Sequence, residues 1–432
     1  MVRQCPALFL AAPASNQGKT TVTAALARMH SRLGRKVKVF KCGPDFLDPQ
    51  ILEAASGSPV YNVDLWMCGV EDATQRLYAA AEDADLIIVE GVMGLYDGIP
   101  SGADFARRLN LPILLVMDGA KMAQTFGAVA LGLASYQEDQ TPELQFAGVL
   151  ANRVGSPAHA SMLRDSLPPF MDWIGHIPRD QGASLPERHL GLVQATEVED
   201  LLTRIDRVAD LLMRTEIGSL MPMVDFAPAL SPKIPPLLAG KTIAIAYDDA
   251  FAFIYKANLD CLTELGAQLV FFSPLVDQQL PYCDALWFPG GYPELYAVKL
   301  AENRSLWDAV KHHHQKGLPI LAECGGMMSL FEKLTDIHGT HHELGGLLPG
   351  TTTMQSKLSA LGLQEVELPE GKLRGHTFHY SKSDTGLEPL VKAQTSRGRS
   401  GEPVYRVGSL TASYVHYYFP SNPLAIGRLF GA

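Results

Sequence analysis

The stretch ALFLAAPASNQGKTTVTAALARM, residues 7–29, decides the first half of the fold. Ala7 to Ala12 form a short apolar run of strand length. A polar loop with Gly18-Lys19-Thr20-Thr21 follows, then apolar residues at helical spacing. Strand, loop and helix in that order make a phosphate-binding loop, where backbone N–H groups and the helix N-terminus hold anionic oxygens. Lys19 is expected to reach terminal phosphates and Thr20 to bind Mg²⁺ through its hydroxyl, with Gly18 and Thr21 completing the ATP site. Pro13 stands where the usual pattern has its first glycine. The N-terminal apolar run also resembles a short signal peptide, but its direct passage into loop and helix favours a strand.

Working outward, further runs of strand length recur at 36–41, 86–91, 112–118 and 146–154, with helical stretches between them. That alternation predicts a parallel sheet covered on both faces, with ligands at the carboxyl ends of its strands. Two acidic motifs fall at such ends. LIIVEGVMGLYDG (86–98) puts Glu90 at a strand end, as a metal-binding acid would be. KCGPDFLDP (41–49) puts Asp45 and Asp48 just past another, where they are either oxygen ligands or turn and cap residues. Lys41 beside them is a site cation or a surface charge.

Residues 218–240 are proline-rich and aperiodic and read as a linker between a first domain (1–217) and a second (241–432). The second repeats the strand–helix alternation at 242–248, 254–265, 284–291 and 318–326. The tail beyond about 340 reads as shorter strands and loops. A chain of 432 residues suits two or three domains. Its net charge of -10 and lack of a basic run argue against nucleic-acid binding. No apolar run reaches the ~18 residues of a membrane span. Six scattered cysteines without a CxxC fit a reducing cytoplasm. The triplet His312–His314 reads as solvated surface on a polar helix end.

One cysteine has a special setting. LPILAECGG (318–326) carries a strand into Cys324, then two glycines, then a helix. Such an elbow exposes a nucleophile. Gly325 leaves room for a substrate carbonyl, and its N–H can face a developing oxyanion, with a second donor from Gly290 or Gly291 in FPGGYPE. His416 in ASYVHYYF is either the base that activates the thiol or a satisfied core histidine.

PGGYPE, AECGG and SYVH in one domain resemble the cobyrinic acid synthase branch of the class I (triad-type) glutamine amidotransferases. The first half, with APASNQGKTT, KCGPDFLDP, EGVMGLYDG and ANRVG, is similar to the partner domain of that branch, itself related to dethiobiotin synthetase. The resemblance implies an α/β chain: a P-loop ATP-binding domain, then a flavodoxin-like glutaminase domain. It implies a carbon–nitrogen ligase of cobalamin biosynthesis that takes ammonia from glutamine at Cys324, with His416 as base. MgATP would phosphorylate a corrin polycarboxylate, and the c and then the a acetate would become amides. By motif, Asp45, Asp48 and Asp97 would serve metal or carboxylate activation, Phe46 and Leu47 the corrin side, and Asn152 the adenine base or merely a turn. A homodimer would be an ordinary assembly. The glutamate many triad enzymes carry two residues after the histidine is Tyr418 here, which leaves the third triad member unassigned. His376 and His379 in RGHTFHYS (374–381) either meet substrate or pack the loop. The alternatives are another tetrapyrrole, such as nickel-sirohydrochlorin, or a non-catalytic ATP switch with a dead glutaminase domain.

Overall fold

The computed structural model describes residues 1–136, 142–183, 187–188, 191–230 and 234–432. The chain divides into two compact units, Met1–Ser231 and Pro232–Ala432. In the first, seven parallel strands lie in the order β3-β2-β4-β1-β5-β6-β7. They are β1 (Arg3–Ala11), β2 (Val37–Cys42), β3 (Tyr61–Val63), β4 (Leu86–Glu90), β5 (Ile113–Asp118), β6 (Phe146–Val154) and β7 (Trp173–Pro178). Alternation along β1 explains the two-sided core. Ala7 and Phe9 pack into one apolar cluster, Leu8 and Leu10 into the other, and all four are fully buried. A fully buried side chain the size of leucine or phenylalanine contributes about 1.5–3 kcal/mol, so a strand buried on both faces holds its register firmly.

Register brings the motifs to one edge. Glu90 is paired across from both Leu10 and Lys41, and Asp118 from Asn152. Helix α1 (Lys19–Arg32) starts at Gly18, whose φ of 90° is left-handed. Helix α2 (Leu47–Ser56) starts just past the end of β2.

Three features depart from the sequence reading. β3 and β7 are additional strands. The stretch read as linker contains a strand, Met223–Phe226, paired antiparallel with the start of β1, so the first unit's sheet extends into it. The histidine triplet is not uniformly solvated: His313 is buried, and the His314 ring lies 2.7 Å from the Val407 carbonyl oxygen.

The second unit has a ten-stranded sheet. Its parallel part comprises Gln268–Phe272, Thr242–Ala246, Ala285–Phe288, Ile320–Glu323 and Leu410–Ser413 in spatial order. Antiparallel strands continue it, including Ala360–Leu368 and Gly371–His379, nine residues each and longer than the tail's composition suggested. Among the described residues, no helix is long and apolar enough to cross a membrane.

Candidate active site

In the first unit, the loop between β1 and α1 lines a cavity of about 830 Å³ with Lys41, Asp45, Asp48, Glu90 and Asn152. The loop is braced from two neighbouring strand ends. Gln17 Oε1 accepts the Asp118 N–H at 2.8 Å, and Asn152 Nδ2 donates to the Gln17 carbonyl at 2.9 Å. Arg153 donates to the Asn16 carbonyl at 2.9 Å and to Asp118 at 2.7 Å. Gly18 is required here, because a Cβ would lie 2.2 Å from Asn152 Nδ2. Gln17, Asp118 and Arg153 were not singled out from sequence. Their partners lie 35 to 137 positions away, so only the fold reveals the brace.

Behind the loop sits a buried charge cluster. Lys41 Nζ lies 2.7 Å from Glu90 Oε1 and 2.5 Å from Asp48 Oδ2. Thr20 donates to the same Glu90 oxygen at 2.8 Å. Burial alone would depress the Lys41 pKa, but Asp48 and Glu90 hold it well above its ordinary value. Burial raises Glu90 despite Lys41. Lys19 donates to the Met93 and Ala14 carbonyls. Burial, then Lys41, lowers its pKa to about 8 against the pull of Glu90. Glu90 Oε2 is buried with no hydrogen-bond partner. That orphaned oxygen beside the Thr20 hydroxyl fits a hard cation such as Mg²⁺, which takes few protein ligands and shares phosphates. No group of three or more His, Cys, Asp or Glu among the described residues forms a complete protein cage.

The remaining first-unit candidates divide. Asp45 borders the cavity, yet its Oδ1 also accepts the Leu47 and Asp48 N–H groups, so it caps α2 as well. Burial, then Asp48, raises its pKa to about 6. Asp97 accepts the Gly94 N–H at 2.8 Å and shapes the turn after β4. Leu47 is buried, Phe46 is half-buried, and neither lines the cavity. Thr21 lines it.

In the second unit, Cys324 joins the strand Ile320–Glu323 to the helix Gly325–Leu330 with φ 46°. A non-glycine residue at such a φ costs about 1–3 kcal/mol, so the surrounding structure must hold it there. Its N–H donates to the Ser413 carbonyl at 2.8 Å. The Gly290–Gly291 segment is the wall shared by thiol corner and histidine. A Cβ on Gly290 would lie 2.1 Å from His416 Cε1, and one on Gly325 would lie 2.9 Å from Gly291 N. Glu323 couples the elbow to the histidine's strand: it accepts the Tyr417 N–H at 2.8 Å and the Trp287 indole N–H at 3.0 Å.

Burial, then the Glu294 carboxylate, pushes the Cys324 thiol well up. Burial, then His376 and His379, lowers His416 to about 3. At neutral pH burial thus favours a thiol at Cys324 and a neutral imidazole at His416, the form of a histidine that can accept a proton. The other five cysteines sit outside this corner, four of them buried.

Residues 8–193 match the family profile described as the CobQ/CobB/MinD/ParA nucleotide binding domain. Residues 242–424 match the CobB/CobQ-like glutamine amidotransferase domain. Over 428 residues, 99% of both chains, the protein is 58% identical to the hydrogenobyrinate a,c-diamide synthase of Stutzerimonas stutzeri. It is 57% identical to that of Pseudomonas aeruginosa over 99% of this chain and 97% of the relative. It is 48% identical to the cobyrinate a,c-diamide synthase of Herminiimonas arsenicoxydans over 98% and 96%. The chain belongs to the a,c-diamide synthase family. In this family member the nucleotide-binding domain holds the braced loop, and the amidotransferase domain holds the thiol elbow.

Proposed function

We propose that this chain amidates the a and c acetate carboxylates of a corrin precursor, using ATP and glutamine. The observation that carries the reading is the presence, in one chain, of a thiol elbow with a neutral imidazole and a braced phosphate loop backed by buried Lys41, Asp48 and Glu90. Cys324 attacks the glutamine side-chain amide, and His416 takes the thiol proton. The N–H groups of Gly325 and the Gly290–Gly291 segment face the oxyanion. The tetrahedral adduct expels ammonia with the proton that His416 returns, which leaves a thioester, and water then releases glutamate and frees the thiol. Carboxylate oxygen is a poor leaving group, so the acid must first become an acyl phosphate. Gly18, Lys19, Thr20 and Thr21 hold ATP for that step, and Asn152 keeps the loop in shape and borders the nucleotide's space. Lys41, held by Asp48, supplies positive charge toward the attacking carboxylate, and Asp45 at the cavity edge would serve the metal or that carboxylate. Glu90 and Thr20 would hold Mg²⁺, which when bound neutralises charge on the transferred phosphoryl group. Ammonia then displaces phosphate to leave the amide.

The names of the 57–58% identical relatives support the metal-free ring, hydrogenobyrinate, as substrate. Free thiols and ATP dependence fit a cytoplasmic enzyme, and a homodimer fits the usual symmetry of soluble oligomers. Incubation with MgATP, glutamine and either hydrogenobyrinic or cobyrinic acid, read by mass spectrometry, tests the reading. Two successive mass changes of one amidation each are expected. Glutamine cleavage with no amidation of either ring would move the assignment to another tetrapyrrole acid, and no glutamate release would indicate a switch rather than an enzyme.

A further inference from the structure

Tyr418 occupies the position where many triad glutaminases carry a carboxylate, and its ring packs edge-on against Tyr255. A different histidine–carboxylate pair, His379 buried and Glu402 largely so, lies in the same unit. His379 ends the strand Gly371–His379, and Glu402 lies on the strand Ser400–Val407. His379 Nε2 is 3.0 Å from Glu402 Oε1, and Nδ1 is 2.9 Å from the Ser381 carbonyl oxygen. A carbonyl only accepts, so Nδ1 carries a proton. Nε2 then either donates to the carboxylate or accepts a proton held by it, and in both cases the pair shares one proton across a short contact. The two side chains are only 7% and 12% exposed.

The pair is tied to the thiol corner through Tyr414. The His379 ring stacks on the Tyr414 ring with centroids 3.7 Å apart and planes 5° from parallel. The Tyr414 hydroxyl is within hydrogen-bond distance of Ser381, Ser383 and Thr352. The Ser381 hydroxyl also reaches Met328 Sδ, on the helix that Cys324 opens. Tyr414 directly follows Ser413, whose carbonyl holds the Cys324 N–H, and precedes His416 by two residues. The strand that carries His379 also pairs with the strand of His416, in a register that sets His376 opposite it. The Ser413–His416 segment is therefore gripped from one side by this pair.

We propose that His379 and Glu402 form a positioning dyad for glutamine hydrolysis. They fix the segment that anchors Cys324 and presents His416, in place of a carboxylate at position 418. The proposal rests on Cys324 and His416 being the glutaminase pair, which Cys324→Ala and His416→Ala test separately through glutamate release. If either leaves glutamine cleavage intact, that assignment fails whatever Glu402 does.

The deciding variants of the full-length enzyme are Glu402→Gln, which keeps an acceptor but removes the charge, and His379→Asn, which keeps a donor for Ser381 but not the contact to Glu402. Each is expected to lower kcat for glutamine cleavage by about 10- to 100-fold, the scale of a misplaced catalytic group. KM for glutamine stays within about twofold, and amidation driven by ammonium chloride stays at the wild-type rate. The double variant loses no more than the single ones, since one device has been removed twice. Wild-type glutaminase kcat in Glu402→Gln overturns the proposal, as does an additive double variant. Loss of both glutamine- and ammonium-driven activity in both variants overturns it too, because the pair is then a folding element.

Discussion

Replacing Gly290 by alanine crowds His416 directly. Gly290 lies outside the left-handed region, so the backbone itself accepts alanine. The new Cβ would stand 2.1 Å from His416 Cε1 and 2.8 Å from Nδ1, where ordinary contact begins at 3.4 Å. The difference, 3.4 − 2.1, is 1.3 Å. The loop cannot easily retreat, because the Gly290 carbonyl accepts the Phe253 N–H at 3.0 Å. Gly291 beside it is wedged as well, with its own Cβ position only 2.0 Å from the Ala250 carbonyl oxygen. The imidazole must therefore move by about 1 Å, a displacement that costs on the order of 10²-fold in rate. That is about 2.7 kcal/mol of barrier at 1.36 kcal/mol per tenfold. The assay is glutamate release from glutamine, run beside ATP-dependent amidation with ammonium. Glutamine-driven turnover is expected to fall about 100-fold while ammonium-driven amidation is unchanged. A Gly290→Ala enzyme that cleaves glutamine within threefold of wild type would refute the placement of His416 as the base.

Glu90→Gln removes a charge that Lys41 and Thr20 share; ATP-dependent amidation is expected to fall about 10²- to 10³-fold, with glutamine cleavage intact, as followed by phosphate and glutamate release. Gly18→Ala combines a φ of 90° with a clash on Asn152, and fluorescent ATP-analogue titration should show affinity at least about tenfold weaker. Lys19 holds phosphate only in its cationic form, which prevails below its pKa of about 8; nucleotide affinity should weaken as pH rises through that value, and Lys19→Arg should flatten the trend across pH 7–9. Glu323→Gln sets an amide N–H₂ against one of two N–H donors, and thermal melts should show a loss of about 1–3 kcal/mol. Burial raises the Glu323 pKa from 4.5 to about 8 against hydrogen bonds from Tyr417 and Trp287. The native state therefore binds the proton more tightly: the resulting stability is present in full below pH 4.5 and lost as pH rises through about 8, a dependence the glutamine variant should lack.

Local pattern carried what local chemistry decides. The strand–loop–helix at 7–29 and the elbow at Cys324 each lie within one short stretch, and each stands where its sequence placed it. β3 was hidden because three residues carry no usable period. The strand Met223–Phe226 is hidden by the prolines that flank it, Pro222 and Pro228, and by a partner at the other end of its unit. Asp45 kept both of its readings, since a carboxylate just ahead of a helix can cap it and still face a cavity. The Gln17–Asp118–Asn152–Arg153 brace and the His379–Glu402 contact depend on residues far apart in the chain, which a single sequence does not pair. His416 had two readings from sequence, base or core. The structure has it buried and against Gly290, and buried histidines can be bases when burial keeps them neutral.

The central claim is that one thiol makes the ammonia that a separate phosphate site consumes. The most direct test is mass spectrometry of hydrogenobyrinic acid incubated with MgATP and the Cys324→Ala enzyme, supplied first with glutamine and then with ammonium. No amide is expected from glutamine, and the a,c-diamide is expected from ammonium. A diamide formed from glutamine by Cys324→Ala would contradict that claim.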